Sequence, residues 1–157
     1  MSWLRRRIAE VQLAFMLLTR LPAGRLVGDA PKLAAAKWAF PLAGLVVGGS
    51  LACVYIAMNS LGLPAELAAI LALGAGMMMT GGLHEDGLAD FADGFGGGQT
   101  KDQKLAIMKD SRVGSYGVLA LILVIAARIM ALATLPATLQ SLILLISLAM
   151  VSRMMMV

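Results

Sequence analysis

Three stretches of this chain carry no charged side chain: Trp38 to Ala65, Leu67 to Leu83 and Ile129 to Ser152. A bilayer core of ~30 Å takes ~20 helical residues at 1.5 Å each. The blocks are therefore of the size that spans a membrane. Of the 157 residues, 60% are apolar and 14% charged, where soluble chains run at ~25% charged. A soluble protein of this composition would need several very long, wholly buried helices. The reading is an all-α, polytopic transmembrane helical bundle forming a single integral membrane domain over residues 1–157.

Residues 3–21 read as an N-terminal amphipathic helix, lying on the membrane or re-entrant, that Pro22 and Gly24 end. A polar, mildly basic connector covers 25–37. Spans are expected from about Pro41 to Met58, Leu67 to Leu83, Ser115 to Leu135, and from Thr138 onward. Gly44, Gly48 and Gly49 in the first, with Gly74 and Gly76 in the second, offer smooth faces for close helix contact. Arg5-Arg6-Arg7 resembles the basic start of a signal peptide, but Glu10 and Gln12 interrupt the apolar run after it and no cleavage site is clear. The single Cys53 is a packing residue, and Met77-Met78-Met79 is adaptable packing rather than a soft-metal site. The sequence closes on Arg153-Met154-Met155-Met156-Val157, apolar and without a polar tail, so an incomplete portion of a longer fold is expected.

Charge placement gives orientation. Arg5, Arg6, Arg7, Arg20, Arg25, Lys32 and Lys37 precede the first span, and Lys101, Lys104, Lys109 and Arg112 come after the second. The turns at 59–66 and 135–140 hold no Lys or Arg. Basic residues of short loops collect on the cytoplasmic side, which puts the N-terminus and the 84–114 segment there. Cations split in this way by spans do not make a nucleic-acid surface. Arg128 lies within the third span and is expected to meet a polar group there, since a membrane-buried arginine is costly. For Arg153, snorkelling and a polar cavity both stay open.

The chain has nine acidic residues. Four of them, Glu85, Asp86, Asp90 and Asp93, fall in the stretch His84-Glu85-Asp86-Gly87-Leu88-Ala89-Asp90-Phe91-Ala92-Asp93-Gly94. On a helix, Asp86, Asp90 and Asp93 stand at i, i+4 and i+7, within an arc of about 60°. Glu85 falls at the edge of that stripe and His84 behind it, as a capping or substrate-contacting residue. Such a stripe suits a hard, oxygen-loving cation, and Mg²⁺ is commonly shared between protein carboxylates and phosphates. The spacing of an EF-hand and the Cys/His pattern of a zinc site are both missing. Gly96-Gly97-Gly98 reads as a hinge or an anion-binding turn. A second polar cluster, Met108-Lys109-Asp110-Ser111-Arg112-Val113-Gly114-Ser115-Tyr116-Gly117, offers Lys109, Ser111 and Arg112 to phosphate oxygens. Alone it would be a basic anchor for the next span. Beside a metal-type stripe it completes the equipment of phosphoryl transfer.

Together these two clusters resemble the cobalamin synthase family (adenosylcobinamide-GDP ribazoletransferase). Phe15-Met16-Leu17-Leu18-Thr19-Arg20-Leu21-Pro22 and Phe40-Pro41-Leu42-Ala43-Gly44 carry the same resemblance. It implies a Mg²⁺-dependent, multi-pass enzyme of the bacterial cytoplasmic (inner) membrane, with its active-site loop facing the cytoplasm. It also implies partners: adenosylcobinamide-GDP, α-ribazole or its 5′-phosphate, and membrane lipid. In the implied reaction the ribazole displaces GMP to form adenosylcobalamin or its 5′-phosphate. Asp86, Asp90 and Asp93, with Glu85 adjacent, would hold Mg²⁺ against the diphosphate. Lys109 and Arg112 would stabilise departing GMP, and Asp110 would orient or deprotonate the attacking hydroxyl or simply pair with Arg112. Members of that family are longer than this chain. Self-association into a homo-oligomer is left open. The competing readings are a CDP-alcohol-type membrane phosphotransferase, whose aspartates are more widely spaced around an Arg, and a cation-transport subunit, whose acids belong at the bilayer midplane.

Overall fold

The computed structural model describes residues 3–156, and every regular element in them is helical. Helix α1 spans Trp3–Leu18 and α2 is the short Leu33–Ala36, joined through a 3-10 turn at Lys37–Ala39 to α3, Phe40–Ser60. Then come α4, Ala65–Thr80; α5, Leu83–Gly97; α6, Lys101–Met108; α7, Ser115–Ala133; and α8, Leu139–Met154. All four expected spans are helices, with ends shifted by a few residues. Among the described residues, two segments are by themselves long and apolar enough to cross a membrane, residues 33–60 and α7. Helices α4 and α8 have 16 residues each, about 24 Å at 1.5 Å per residue, and so are short for a full crossing.

The largest departure from the expected layout is at the end of the second span. It stops at Thr80 because Gly81 and Gly82 both take left-handed backbone, at φ +69° and +72°. Glycine adopts that conformation without steric cost and ends helices there. The chain turns 89° at this point and continues as α5. The polar 84–114 segment is therefore largely two helices rather than a loop. A capping box at Thr100 and Gln103 starts the second of them by satisfying otherwise free backbone donors.

The core lies where α3, α4 and α7 meet. Tyr55, Ala68, Ala69, Ala72, Leu73 and Leu132 are buried together, and the Tyr55 hydroxyl donates to the Leu135 carbonyl at 2.8 Å. Small residues let these helices approach closely, as membrane helices commonly do. The same principle joins α3 to α8. A Cβ on Gly44 or Gly48 would lie within 3 Å of α8 atoms at Ala149, Met150 or Ile146. Gly49 and Gly74, expected to serve likewise, have open space or only ordinary contact around them.

Helix α1 docks on the start of α3 through Ala14, Leu18, Ala39, Phe40 and Ala43. Its most buried polar group is Glu10, which is fully enclosed. That carboxylate accepts from the Trp38 indole at 2.7 Å, from Arg7 at 2.8 Å and from Arg6 at 3.1 Å. Arg7 also stacks between the rings of Trp3 and Trp38. In the sequence Glu10 looked like an interruption of an apolar run; folded, it is the joint.

This packing makes two outcomes measurable. Gly48→Leu should lower the unfolding free energy in detergent by about 1–3 kcal/mol or more, the range for overpacking a tight contact, whereas Gly74→Leu should leave the thermal midpoint nearly unchanged. The Trp38 hydrogen bond, with Arg7 and Arg6, outweighs burial and holds the Glu10 carboxyl below its ordinary range. A carboxyl depressed in the folded state contributes stability fully above its unfolded value, ~4.3, and loses it as pH falls through the folded one. Tryptophan fluorescence should therefore be flat from neutral pH down to about 5 and report release of α1 only below about pH 4; in Glu10→Gln that acid step should vanish.

Candidate functional site

Helix α5 keeps Asp86, Asp90 and Asp93 on one face, as their spacing predicts, but their surroundings differ. Asp86 is exposed, Asp90 half-buried and Asp93 buried. Asp93 Oδ2 accepts from the Gly114 amide at 2.7 Å and Oδ1 from the Gly117 amide at 2.8 Å. These are the N-cap and third-residue amides of α7, whose own cap position, a glycine, has no side chain to offer. The first amides of a helix lack internal partners and carry partial positive charge, so a carboxylate is well matched to them. Here the cap comes from a different helix. A Cβ at Gly114 or Gly117 would run into the Asp93 carboxylate, which is why both positions are glycine.

Asp93, expected as a third metal ligand, thus has both oxygens engaged in holding α7. Among the described residues no three His, Cys, Asp or Glu side chains are grouped to hold a metal ion. Asp86 and Asp90, one turn apart, are in no side-chain hydrogen bond or ion pair among the described residues. Two carboxylates of this kind fit Mg²⁺, which keeps waters and completes its shell with substrate phosphates.

Asp86 and Glu85 help line a cavity of about 680 Å³ at the corner between α4 and α5, and Arg20 lines it with them. The Arg20 backbone amide donates to the Met79 carbonyl at 2.7 Å. Its side chain crosses Gly81 so closely that a Cβ there would collide with the guanidinium. Arg20 is in no ion pair among the described residues. An unpaired cation sharing a cavity with an unpaired aspartate suits a phosphate that brings a metal ion. Sequence reading used Arg20 for orientation and within the Phe15–Pro22 resemblance, and gave it no role in the site. The available signal was its place: a charge wedged between the end of an apolar helix and Pro22.

The 109–114 loop does lie against α5. Met108 packs on Gly94, Gly114 meets Asp93, and Val113 reaches the cavity wall. Lys109, Ser111 and Arg112 are exposed and line neither this cavity nor the apolar one between the spans. Arg112 grips Asp110 with Nε at 3.1 Å from Oδ1 and Nη2 at 2.7 Å from Oδ2. Those hydrogen bonds hold the Asp110 carboxyl below its ordinary range. A carboxylate so stabilised is a poorer base, so pairing, the second of the two roles expected for Asp110, is the one the geometry supports.

His84 and Glu85 sit on the first turn of α5, where a second cavity of about 560 Å³ opens between α3, α4, α7 and α8. Glu85 pairs with Arg128 at 2.9 Å, the polar contact expected for an arginine within a span. Arg153 lines the same cavity and donates to the Ala149 carbonyl at 3.4 Å. The His84 ring lies behind the aspartate stripe, and both of its nitrogens are buried without a hydrogen-bond partner.

Apolar helices, one of them broken at a glycine corner where Arg20 and Asp86 line one cavity, define a helical membrane protein. The chain belongs to the cobalamin-5-phosphate synthase family, whose model matches residues 10–157. It is 51% identical over 131 residues to an adenosylcobinamide-GDP ribazoletransferase of Bradyrhizobium diazoefficiens, covering 83% of this chain and 50% of that protein. It is 50% identical over 138 residues to the protein of that name from Xanthobacter autotrophicus, covering 84% and 52%. For the one from Shewanella frigidimarina the identity is 49% over 125 residues, covering 79% and 47%. The chain thus spans about half the length of the curated relatives it matches. No solved structure matches it.

The Asp93 clasp has its own test. Asp93→Ala strands two amides and should cost about 1–3 kcal/mol for each, with Asp93→Asn costing less because one acceptor remains. The loss should be the same with and without Mg²⁺. In a double-mutant cycle Gly117→Ala should be strongly destabilising in the wild-type background and much milder beside Asp93→Ala, a coupling read from thermal midpoints.

Proposed function

We propose that this chain carries the diphosphate-handling site of an adenosylcobinamide-GDP ribazoletransferase. The observation that carries the reading is the meeting of Arg20 with Asp86 in one cavity at the α4–α5 corner. The family supplies the substrate, and the corner supplies groups suited to its diphosphate. The hydroxyl of α-ribazole, or of its 5′-phosphate, attacks the phosphorus linked to cobinamide. A P–O bond forms to the incoming oxygen, the anhydride P–O bond to GMP breaks, and the hydroxyl proton passes to solvent. Adenosylcobalamin or its 5′-phosphate results.

In this reading Asp86 and Asp90 would hold Mg²⁺. When bound, the ion neutralises charge on the diphosphate. Arg20 binds a phosphate oxygen and stabilises the charge gathering on GMP as it departs. Asp93 acts at one remove, fixing the start of α7 and hence the 109–114 loop. Lys109, Ser111 and Arg112 form the rim of the site, where a cation attracts an anionic substrate before it docks. The bacterial cytoplasmic membrane, with α5 and the 109–114 loop on the cytoplasmic side, is supported by the Lys/Arg placement. A cation-transport subunit is not favoured, because the two unpaired aspartates lie past the right-angle corner and not along a span.

The decisive measurement is GMP release by membranes holding the complete polypeptide, supplied with adenosylcobinamide-GDP, α-ribazole and Mg²⁺. Asp86→Asn, Asp90→Asn and Arg20→Ala should each lower turnover by roughly 10²-fold or more with membrane insertion intact. Arg20→Lys should recover part of it, since a point charge replaces a fork. Normal turnover by Asp86→Asn, or no GMP from well-folded wild type, would sink the proposal.

A further inference from the structure

We propose that the cavity between α3, α4, α7 and α8 binds a phosphate-bearing amphiphile, its apolar body among the leucines and its phosphate held by Arg153, Arg128 and His84. This site lies on the opposite side of α5 from the aspartate stripe; as a lipid site it does not depend on the diphosphate reading, and as an acceptor site it rests on it.

Five observations converge. The cavity, about 560 Å³, falls in the roughly 300–1,000 Å³ range of small-molecule sites. Most of its wall is aliphatic, including Leu51, Leu73, Leu132, Leu145 and Leu148. At the α5 end the wall turns polar, with His84, Glu85, Arg128, Ser152 and Arg153. Glu85 is already paired with Arg128. That leaves Arg153, half-buried, with one long bond to a carbonyl and no carboxylate among the described residues.

A half-buried cation in no ion pair is costly until an anion joins it. His84 gives the independent sign. Both ring nitrogens are buried and unpartnered, whereas buried polar atoms in folded proteins nearly always have a partner. A neutral imidazole offers one donor, the Ser152 hydroxyl another, and two guanidinium groups several more. Donors in this number match the several acceptor oxygens of a phosphate better than the two of a carboxylate.

The shared chemistry is a phosphate on an apolar body, and it has two sources. One is a membrane phospholipid. The other is a soluble phosphate monoester with a flat aromatic group. Calorimetric titration of the complete polypeptide in neutral detergent separates them. The probes are dioctanoyl-phosphatidylglycerol, α-ribazole 5′-phosphate and inorganic phosphate.

One of the first two should bind saturably, one per chain, and inorganic phosphate at least about tenfold more weakly, because it lacks the apolar body. Arg153→Gln, which removes the cation, and Leu148→Trp, which fills the apolar end, should each weaken that binding by about tenfold or more. The two variants alter opposite ends of the cavity, so if one fails to fold by circular dichroism the other still decides. Binding of the lipid alone identifies a lipid site, binding of the monoester alone an acceptor site, and binding of both a site open to either. No saturable binding of either by folded protein, or wild-type affinity in a folded variant, overturns the proposal.

Discussion

The bond between Asp93 and the first amides of α7 is what the polar half of the molecule is built around. It crosses 21 and 24 positions of sequence and fixes the start of α7 against the last turns of α5. A buried carboxylate is expensive unless fully bonded, and here two amides and the end of a helix dipole meet that need. The clasp admits only glycine at two positions. It brings the 109–114 loop beside the acidic helix, so the second polar cluster reaches the first through a structural contact. The two aspartates nearer the corner are left unencumbered as a result.

The right-angle corner then divides the chemistry. Thr80 and Glu85 line both cavities, so one short piece of backbone separates an apolar chamber among the spans from a mixed cavity at their end. On one side the cations are Arg128 and Arg153, and on the other Arg20. Without the left-handed pair at Gly81 and Gly82, α4 would run straight on. Arg20 would then face the side of a helix instead of its first turn.

Much of the fold was legible in the sequence because hydrophobic blocks and helical spacing are local. The helices at the four expected spans, though two are short for a full crossing, the N-terminal helix, the shared face of the aspartates and the polar contact of Arg128 all came from periodicity and charge. What the sequence hid was which faces meet. Asp93 has the same spacing whether it binds a cation or two amides, and only the partner, twenty-odd residues away, decides. Arg20 and Asp86 are 66 positions apart, and no periodicity links them. Glu10 looked like a flaw in an apolar stripe because Trp38, its strongest partner, lies on another element. The boundary at Thr80 was missed for a local reason: a Gly-Gly pair beside an apolar run resembles a continued span until both glycines are seen at positive φ.

The groove on α3 formed by Gly44 and Gly48 has a consequence for biogenesis. Its partner, residues 146–150 of α8, is synthesised about a hundred residues later. During that interval α3 sits in the bilayer with a small-residue groove and nothing in it, and α4 and α7 cover other faces. Contacts so distant in sequence close late, and small-xxx-small grooves are self-complementary between identical helices. Newly made chains on neighbouring ribosomes therefore compete with their own α8 for this surface. The arrival of α8 fills the groove and closes it to pairing through a second α3.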